Sequence, residues 1–139
     1  MPRPPFRLRQ LDHVVLRALD PAALEDFYCR VLGCTVEKRQ EAIGLVQLRA
    51  GASLIDLVGI DSRLGRLDGA APGAEGHNVD HICLAVEGYD EAAIRAHLEA
   101  HGVRIGEAGS RYGAEGEGPS LYLYDPQGNM IELKGPPAA

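Results

Sequence analysis

Four side chains that can bind a metal ion stand at matching places in the two halves of the chain. One histidine interrupts each of two similar apolar runs, His13 in "LDHVVL" and His81 in "VDHICL". One carboxylate interrupts each of two later apolar runs, Asp56 in "LIDLV" and Glu132 in "MIELK". A single histidine in a strand needs no ligand to explain it, but recurrence of the whole set does. Two imidazoles and two carboxylates favour a divalent metal such as Zn²⁺, Ni²⁺, Mn²⁺ or Fe²⁺.

The elements that must position these four residues repeat as well. In each half, a predicted strand that carries the histidine is followed by a predicted helix. Asp20 and Asp90 are typical N-caps of these helices, and Gly33 and Gly102 are typical of helix ends. Three further strand-like segments follow in each half, separated by turn residues. Both halves therefore have the order β-α-β-β-β.

This repeat predicts the fold class and the organisation of the domain. We expect an α+β protein in which two tandem βαβββ modules form a cupped mixed sheet. Residues 1–139 are expected to form a single domain, with one module at 8–59, a second at 79–135, and a linker at 60–78. The linker is rich in glycine and has little apolar pattern.

Alternation along the strands predicts which way the four residues point. Side chains alternate between the two faces of a strand, so the histidine and the carboxylate of each module lie opposite the aliphatic positions. The aliphatic face is expected to pack on the helix of the module. If the first and last strands are neighbours, each module brings one histidine close to one carboxylate.

Composition excludes several other kinds of partner and site. The net charge is −6 and no dense run of Lys and Arg occurs, so a nucleic-acid partner is not expected. No apolar segment is long enough to span a membrane or to serve as a signal peptide, which predicts a cytoplasmic protein. The 3 cysteines show no CxxC spacing, which argues against a zinc ribbon or a disulfide framework.

Two further segments carry candidate substrate-binding residues. Alternation places Arg17 on the same strand face as His13. The segment "EAGSRYGAEGEGPS" in the second half is rich in glycine and is interpreted as a loop. Such a loop suits a mobile lid that turns Arg111 and Tyr112 towards a substrate, and a plain surface loop explains it equally well.

The quoted motifs resemble those of a known superfamily. "LDHVVL…DFYCRVLG" and "VDHICLAV…YDPQGNMIEL" are similar to the vicinal oxygen chelate superfamily, over a span from about Leu11 to Gly135. That superfamily includes glyoxalase I, extradiol dioxygenases, methylmalonyl-CoA epimerase, and the fosfomycin and bleomycin resistance proteins. The helix end "FY…VLG" and the final "DP-x-GN-x-IEL" are specific for the superfamily rather than for one activity.

The resemblance implies a site and a reaction. It implies that His13, Asp56, His81 and Glu132 bind the metal, and that Glu132 or Asp56 transfers a proton. The activity implied is a glyoxalase I-like isomerase or lyase that acts on a small vicinal-oxygen substrate through an enolate intermediate. Relatives usually have Glu or Gln at the position of Asp56, which is one methylene shorter than Glu.

Alternatives and an assembly follow from the same resemblance. A set of two histidines and one carboxylate would suit an Fe²⁺ extradiol dioxygenase of a catechol-like substrate. A resistance protein that binds a drug or toxin without catalysis is the third possibility. Arg17 resembles an arginine that contacts the substrate carboxylate in glyoxalase I. We also expect a homodimer, in which the first module of one chain meets the second module of the other; the alternative is that the two modules of one chain form the site together.

Overall fold

Alternating apolar and polar segments form two four-stranded sheets in the computed structural model, which describes residues 3–67 and 69–137. The first sheet contains β1 (His13–Ala18), β2 (Thr35–Gln40), β3 (Leu45–Ala50) and β4 (Ser53–Gly59). The second contains β5 (Ile82–Ala85), β6 (Ile105–Gly113), β7 (Gly116–Tyr124) and β8 (Met130–Lys134).

One helical segment follows the first strand of each sheet. Helix α1 (Pro21–Asp26) continues into a π-helical turn at Phe27–Val31, and α2 spans Glu91–Ala100. The side chain of Asp20 accepts a hydrogen bond from the backbone N–H of Ala23, and Asp90 does the same for Ala93. These contacts satisfy backbone donors that the first helical turn leaves without partners, so both predicted N-caps are confirmed.

Both sheets have the same strand order. It is β1-β4-β3-β2 in the first sheet and β5-β8-β7-β6 in the second. In each, the first and last strands run parallel and side by side, while the remaining neighbours are antiparallel. The expected α+β fold of two βαβββ modules with mixed sheets is therefore confirmed.

The apolar faces of both sheets and both helices share one hydrophobic core. Its buried members include Leu16, Leu57, Leu98 and Leu133, which come from β1, β4, α2 and β8. On the strands, each leucine lies an odd number of residues from the polar position: Leu16 is three residues from His13, and Leu57 and Leu133 directly follow Asp56 and Glu132. Alternation therefore turns the polar positions towards the opposite face of each sheet.

Polar contacts also join the two halves across this core. The buried Tyr28 hydroxyl donates to a carboxylate oxygen of Asp125 at 2.8 Å. The side chain of Asn78 accepts from the backbone N–H of Arg17 at 2.8 Å and donates to its carbonyl at 3.0 Å. His97 on α2 contacts the carbonyl of Val31 at 2.7 Å through its Nε2.

The glycine-rich segment of the second half is not a loop. Residues 107–120 lie almost entirely in the β6–β7 hairpin, whose turn contains only Ala114 and Glu115. The hairpin pairs continuously from Ala108 opposite Leu121 to Gly113 opposite Gly116. Cross-strand hydrogen bonds thus satisfy the backbone that the composition suggested was irregular, and the expectation of a loop was wrong.

Candidate functional site

The first module brings His13 and Asp56 together. In the parallel pairing of β1 with β4, Val15 is the partner of Asp56, so His13 lies one side-chain step along the same face. The Nε2 atom of His13 is 4.0 Å from the Oδ2 atom of Asp56. Asp56 is only 3% exposed, whereas the side chain of His13 is about half exposed.

The second module brings His81 and Glu132 together in the same way. Cys83 is the partner of Glu132 in the parallel pairing of β5 with β8, and His81 precedes β5 by one residue. The Nε2 atom of His81 is 3.3 Å from the Oε1 atom of Glu132. Glu132 is 5% exposed. Each module thus places its histidine near its carboxylate, as alternation along paired first and last strands implies.

Each histidine is oriented by the aspartate that precedes it. The Nδ1 atom of His13 lies 2.8 Å from Asp12, and the Nδ1 atom of His81 lies 2.6 Å from Asp80. The hydrogen bond to Asp12 raises the pKa of His13, and the charge of Asp56 raises it further. Such a contact fixes Nδ1 as the protonated nitrogen and leaves Nε2 free to bind a metal, as in carboxylate–histidine–metal triads.

The two carboxylates differ in how firmly they are held. Ser120, which is fully buried on β7, donates to the Oε2 atom of Glu132 at 2.6 Å. Burial by itself raises the pKa of Glu132, but hydrogen bonds from Ser120, Tyr122 and Cys83 and the nearby His81 together lower it. Glu132 is therefore an ionised group with a fixed orientation.

Asp56 has fewer partners. Gln47 on β3 donates to its Oδ2 atom at 3.3 Å, and the other oxygen, Oδ1, is buried without a hydrogen-bond partner among the described residues. A buried oxygen without a partner is costly, so a bound cation or a donor from a ligand would stabilise it.

The two pairs do not meet within one chain. Across residues 3–67 and 69–137, no group of three or more His, Cys, Asp or Glu side chains is close enough to hold a metal ion. Each pair lies on its own sheet, on the face turned away from the shared core. One chain therefore presents two separate histidine–carboxylate pairs, each of which has the composition of half of the expected four-residue site, and we call them half-sites.

The three expected substrate-binding residues have different surroundings. The guanidinium of Arg17 donates to the carbonyls of Gly69 and Ala70 in the linker, at 3.2 and 2.8 Å. Arg111 on β6 lies over the ring of Tyr122, 5.7 Å from its centroid, and so faces the His81–Glu132 pair. Tyr112 is 83% exposed and alternates to the opposite face of β6, so the fold does not bring it to this pair.

Three residues near the second pair did not emerge from the sequence. Ser120 and Tyr122 contact Glu132 or His81, the ring of Tyr122 lying 5.7 Å from that of His81. Lys134 lies two residues beyond Glu132 on the same face and is buried. Alternation along "SLYLY" and "MIELK" carries the signal for all three once the β7–β8 register is known.

One well-formed cavity does not coincide with either pair. It has a volume of about 680 Å³ and lies where the turn between β3 and β4 approaches β5 and α2. Its lining is mainly apolar, with Leu84, Val86, Ile94 and Leu98 contributing, and it contains none of the four expected ligands. The His–carboxylate pairs instead lie on open sheet faces.

In the described part of the chain, no helix is long and apolar enough to cross a membrane.

Comparison with known proteins identifies relatives over nearly the whole chain. The model of the Glyoxalase/Bleomycin resistance protein/Dioxygenase superfamily matches residues 10–133. An integron cassette protein from the mobile metagenome of V. cholerae is 29% identical, with a TM-score of 0.71, over 94% of this chain and 97% of its own.

Two further solved structures show the same fold at lower identity. A lactoylglutathione lyase from Agrobacterium tumefaciens is 23% identical, with a TM-score of 0.62 and 96% of both chains covered. An antibiotic-binding protein from a Streptomyces species is 20% identical, with a TM-score of 0.68 over 95% of this chain and 99% of its own. At these identities the likeness concerns the fold alone.

Proposed function

The chain belongs to the Glyoxalase/Bleomycin resistance protein/Dioxygenase superfamily, and we propose that it is a metal-dependent isomerase or lyase of the glyoxalase I type. Its substrate is a small molecule with vicinal oxygens, and its reaction passes through an enolate. The observation that supports this most directly is the pair of half-sites. Each joins one oriented histidine to one buried carboxylate, at 4.0 Å in one module and 3.3 Å in the other.

The residues present fit a divalent metal. His13 and His81 each turn an Nε2 atom towards the carboxylate of the same pair, and Asp56 has a buried oxygen without a partner among the described residues. Two imidazoles and two carboxylates match the preferences of Zn²⁺, Ni²⁺, Mn²⁺ and Fe²⁺. Such a metal would supply Lewis acidity to the substrate oxygens.

A homodimer would complete the site. Because one chain presents two half-sites on separate sheet faces, His13 and Asp56 of one copy would join His81 and Glu132 of a second copy. Two copies then form two four-ligand sites related by two-fold symmetry. The first module, 8–59, and the second, 79–135, thus act as halves of different sites.

The two carboxylates suit different roles in the reaction. Glu132 is ionised and held by Ser120, so it serves best as a permanent ligand. Asp56 is held by one long hydrogen bond from Gln47 and is short by one methylene. With so few partners of its own, Asp56 is the better group to accept a substrate proton and return it to the neighbouring carbon.

Metal analysis of the purified protein tests this proposal. We expect about one metal ion per chain, lost in His13→Ala and His81→Ala but kept in His77→Ala, a histidine outside both pairs. Turnover of a hemithioacetal by the metal-loaded protein, abolished by Asp56→Asn, would support the isomerase. A protein that binds no metal at micromolar concentration, or variants at positions 13 and 81 that bind as well as the wild type, would contradict it.

Two further measurements, oxygen uptake and ligand binding, distinguish two alternative functions. Asp56 lies 4.0 Å from His13. If Asp56 does not bind the metal, two histidines and Glu132 remain as ligands, which is the set that suits an Fe²⁺ dioxygenase. Oxygen uptake with a catechol would favour that reaction. The apolar cavity of about 680 Å³ is large enough for a drug-sized ligand, and tight binding that is insensitive to chelators would favour a non-catalytic binding protein.

A further inference from the structure

A buried lysine lies beside the second half-site. Lys134 follows Glu132 by two residues on β8, so both side chains lie on the same face of the sheet. Lys134 is 7% exposed. Among the described residues its ammonium has no carboxylate partner within salt-bridge distance, and its one hydrogen bond goes to the carbonyl of Gly116, at 2.9 Å.

Glycines make room for this side chain. Gly113 and Gly118 lie on the same face of the β6–β7 hairpin, next to Lys134. A Cβ atom at Gly113 would lie 2.9 Å from Cε of Lys134, and one at Gly118 would lie 3.0 Å from its Nζ. A larger residue at Gly113 would displace the lysine, and one at Gly118 would also meet the carbonyl oxygen of Gly135 at 2.7 Å. The glycines of the hairpin therefore form a floor along which the side chain of Lys134 lies.

A second cation lies across the same floor. Arg111 is the cross-strand partner of Gly118, and a Cβ atom at Gly109 would lie 2.5 Å from its Nη1. Its guanidinium contacts the exposed Glu107 only at 3.6 Å and donates to the carbonyl of Ser110. Lys134 and Arg111 thus place two positive charges on one face of the sheet, above strand positions occupied mainly by glycine.

We propose that Lys134 and Arg111 form a subsite for a small oxyanion, the carboxylate or phosphate group of the substrate. The proposal rests on the proposed function only in taking the face with His81 and Glu132 as the substrate cavity. Lys134 holds the anion at the glycine floor, while the vicinal oxygens of the same molecule lie towards Glu132. The substrate is therefore expected to be an acid or a phosphate ester rather than a neutral carbonyl compound.

A purely structural role explains Lys134 poorly. The carbonyl of Gly116 accepts only one of the three N–H groups that an ammonium carries. Burying a charge that has no carboxylate within salt-bridge distance is costly, and a neutral donor would satisfy one carbonyl as well. An anion that binds the remaining donors supplies the missing counter-charge.

Anion binding to the metal-free, full-length protein tests the subsite. Titration calorimetry with inorganic phosphate and, separately, with malonate distinguishes a phosphate site from a carboxylate site. We expect saturable binding of at least one, weakened about tenfold or more in Lys134→Met and in Arg111→Met, since each loses a charge-assisted contact. Lys38→Met is the matched control because Lys38 is the only other lysine in the chain, and it should bind like the wild type.

Acetylation of the wild-type protein gives a test that needs no folded variant. The bound anion should slow acetylation of Lys134, followed by mass spectrometry, and leave that of the exposed Lys38 unchanged. No saturable binding of either anion, or equal binding by the wild type and Lys134→Met, would overturn the subsite. Metal analysis is independent of both measurements, so failure of the metal site and failure of the anion subsite give different results.

Discussion

Mixing subunits with complementary defects tests whether each metal site is built from two chains. One variant, His13→Ala with Asp56→Asn, disables the first half-site of its chain. The other, His81→Ala with Glu132→Gln, disables the second. Because the described residues of one chain nowhere bring three ligands together, we expect each variant alone to bind no metal tightly.

Sharing of each site between two chains determines the metal content expected of the mixed dimer. In a dimer of one variant with the other, one shared site combines both defective halves and the second combines both intact halves. Such a heterodimer should bind about half the metal of a wild-type dimer. If each site lay within one chain, both chains of the heterodimer would carry a defect and the metal content would be near zero.

A reciprocal heterodimer supplies the control. A wild-type chain paired with a chain that carries all four substitutions should bind almost nothing if the sites are shared, because each site contains one defective half. It should bind about half the wild-type amount if the sites lie within single chains. Two affinity tags isolate each heterodimer, and atomic emission measures its metal. Half occupancy in this control, with none in the complementary pair, would refute the shared site.

Ser120→Ala should weaken metal binding about 10- to 100-fold, because the hydroxyl that orients Glu132 is lost. Ser110→Ala, on the neighbouring strand, is the control and should leave metal binding unchanged. An equal loss in both variants would contradict the role of Ser120. The hydrogen bond to Asp12 is the largest cause that raises the pKa of His13. Asp12→Asn should therefore lower this pKa, which NMR titration of the metal-free protein measures. A raised folded-state pKa stabilises the protein below the histidine's ordinary pKa and ceases to do so as the pH rises through the raised value. Asp12→Asn should therefore lower the unfolding midpoint on the acid side only.

The sequence alone predicted the two half-sites because they depend on local pattern and on a repeat. Alternation placed His13 and Asp56 opposite the aliphatic residues, and the repeat placed His81 and Glu132 in the same way. The one step that local pattern could not supply is the pairing of the first strand with the last, which the structure shows in both sheets. The fold class could be inferred for the same reason.

Features that depend on long-range pairing were missed. Glycine content suggested a loop at 107–120, but cross-strand hydrogen bonds with β7 and contact with Lys134 stabilise a hairpin there. Strand propensity depends on such neighbours more than on the residues themselves. The burial of Lys134 could not be predicted either, because it depends on the packing of this side chain against glycines of the hairpin.

The unequal support of the two carboxylates bears on why the first half-site has an aspartate. A glutamate at position 56 would reach further towards the metal and act as a second fixed ligand. Asp56 is shorter, lies 4.0 Å from His13, and has one buried oxygen without a partner. If the proposed metal binds here, Glu132, held by Ser120, would be its firmly oriented ligand. The shorter and less firmly held Asp56 would then be the group that accepts and returns a proton, which is the division of roles that we propose.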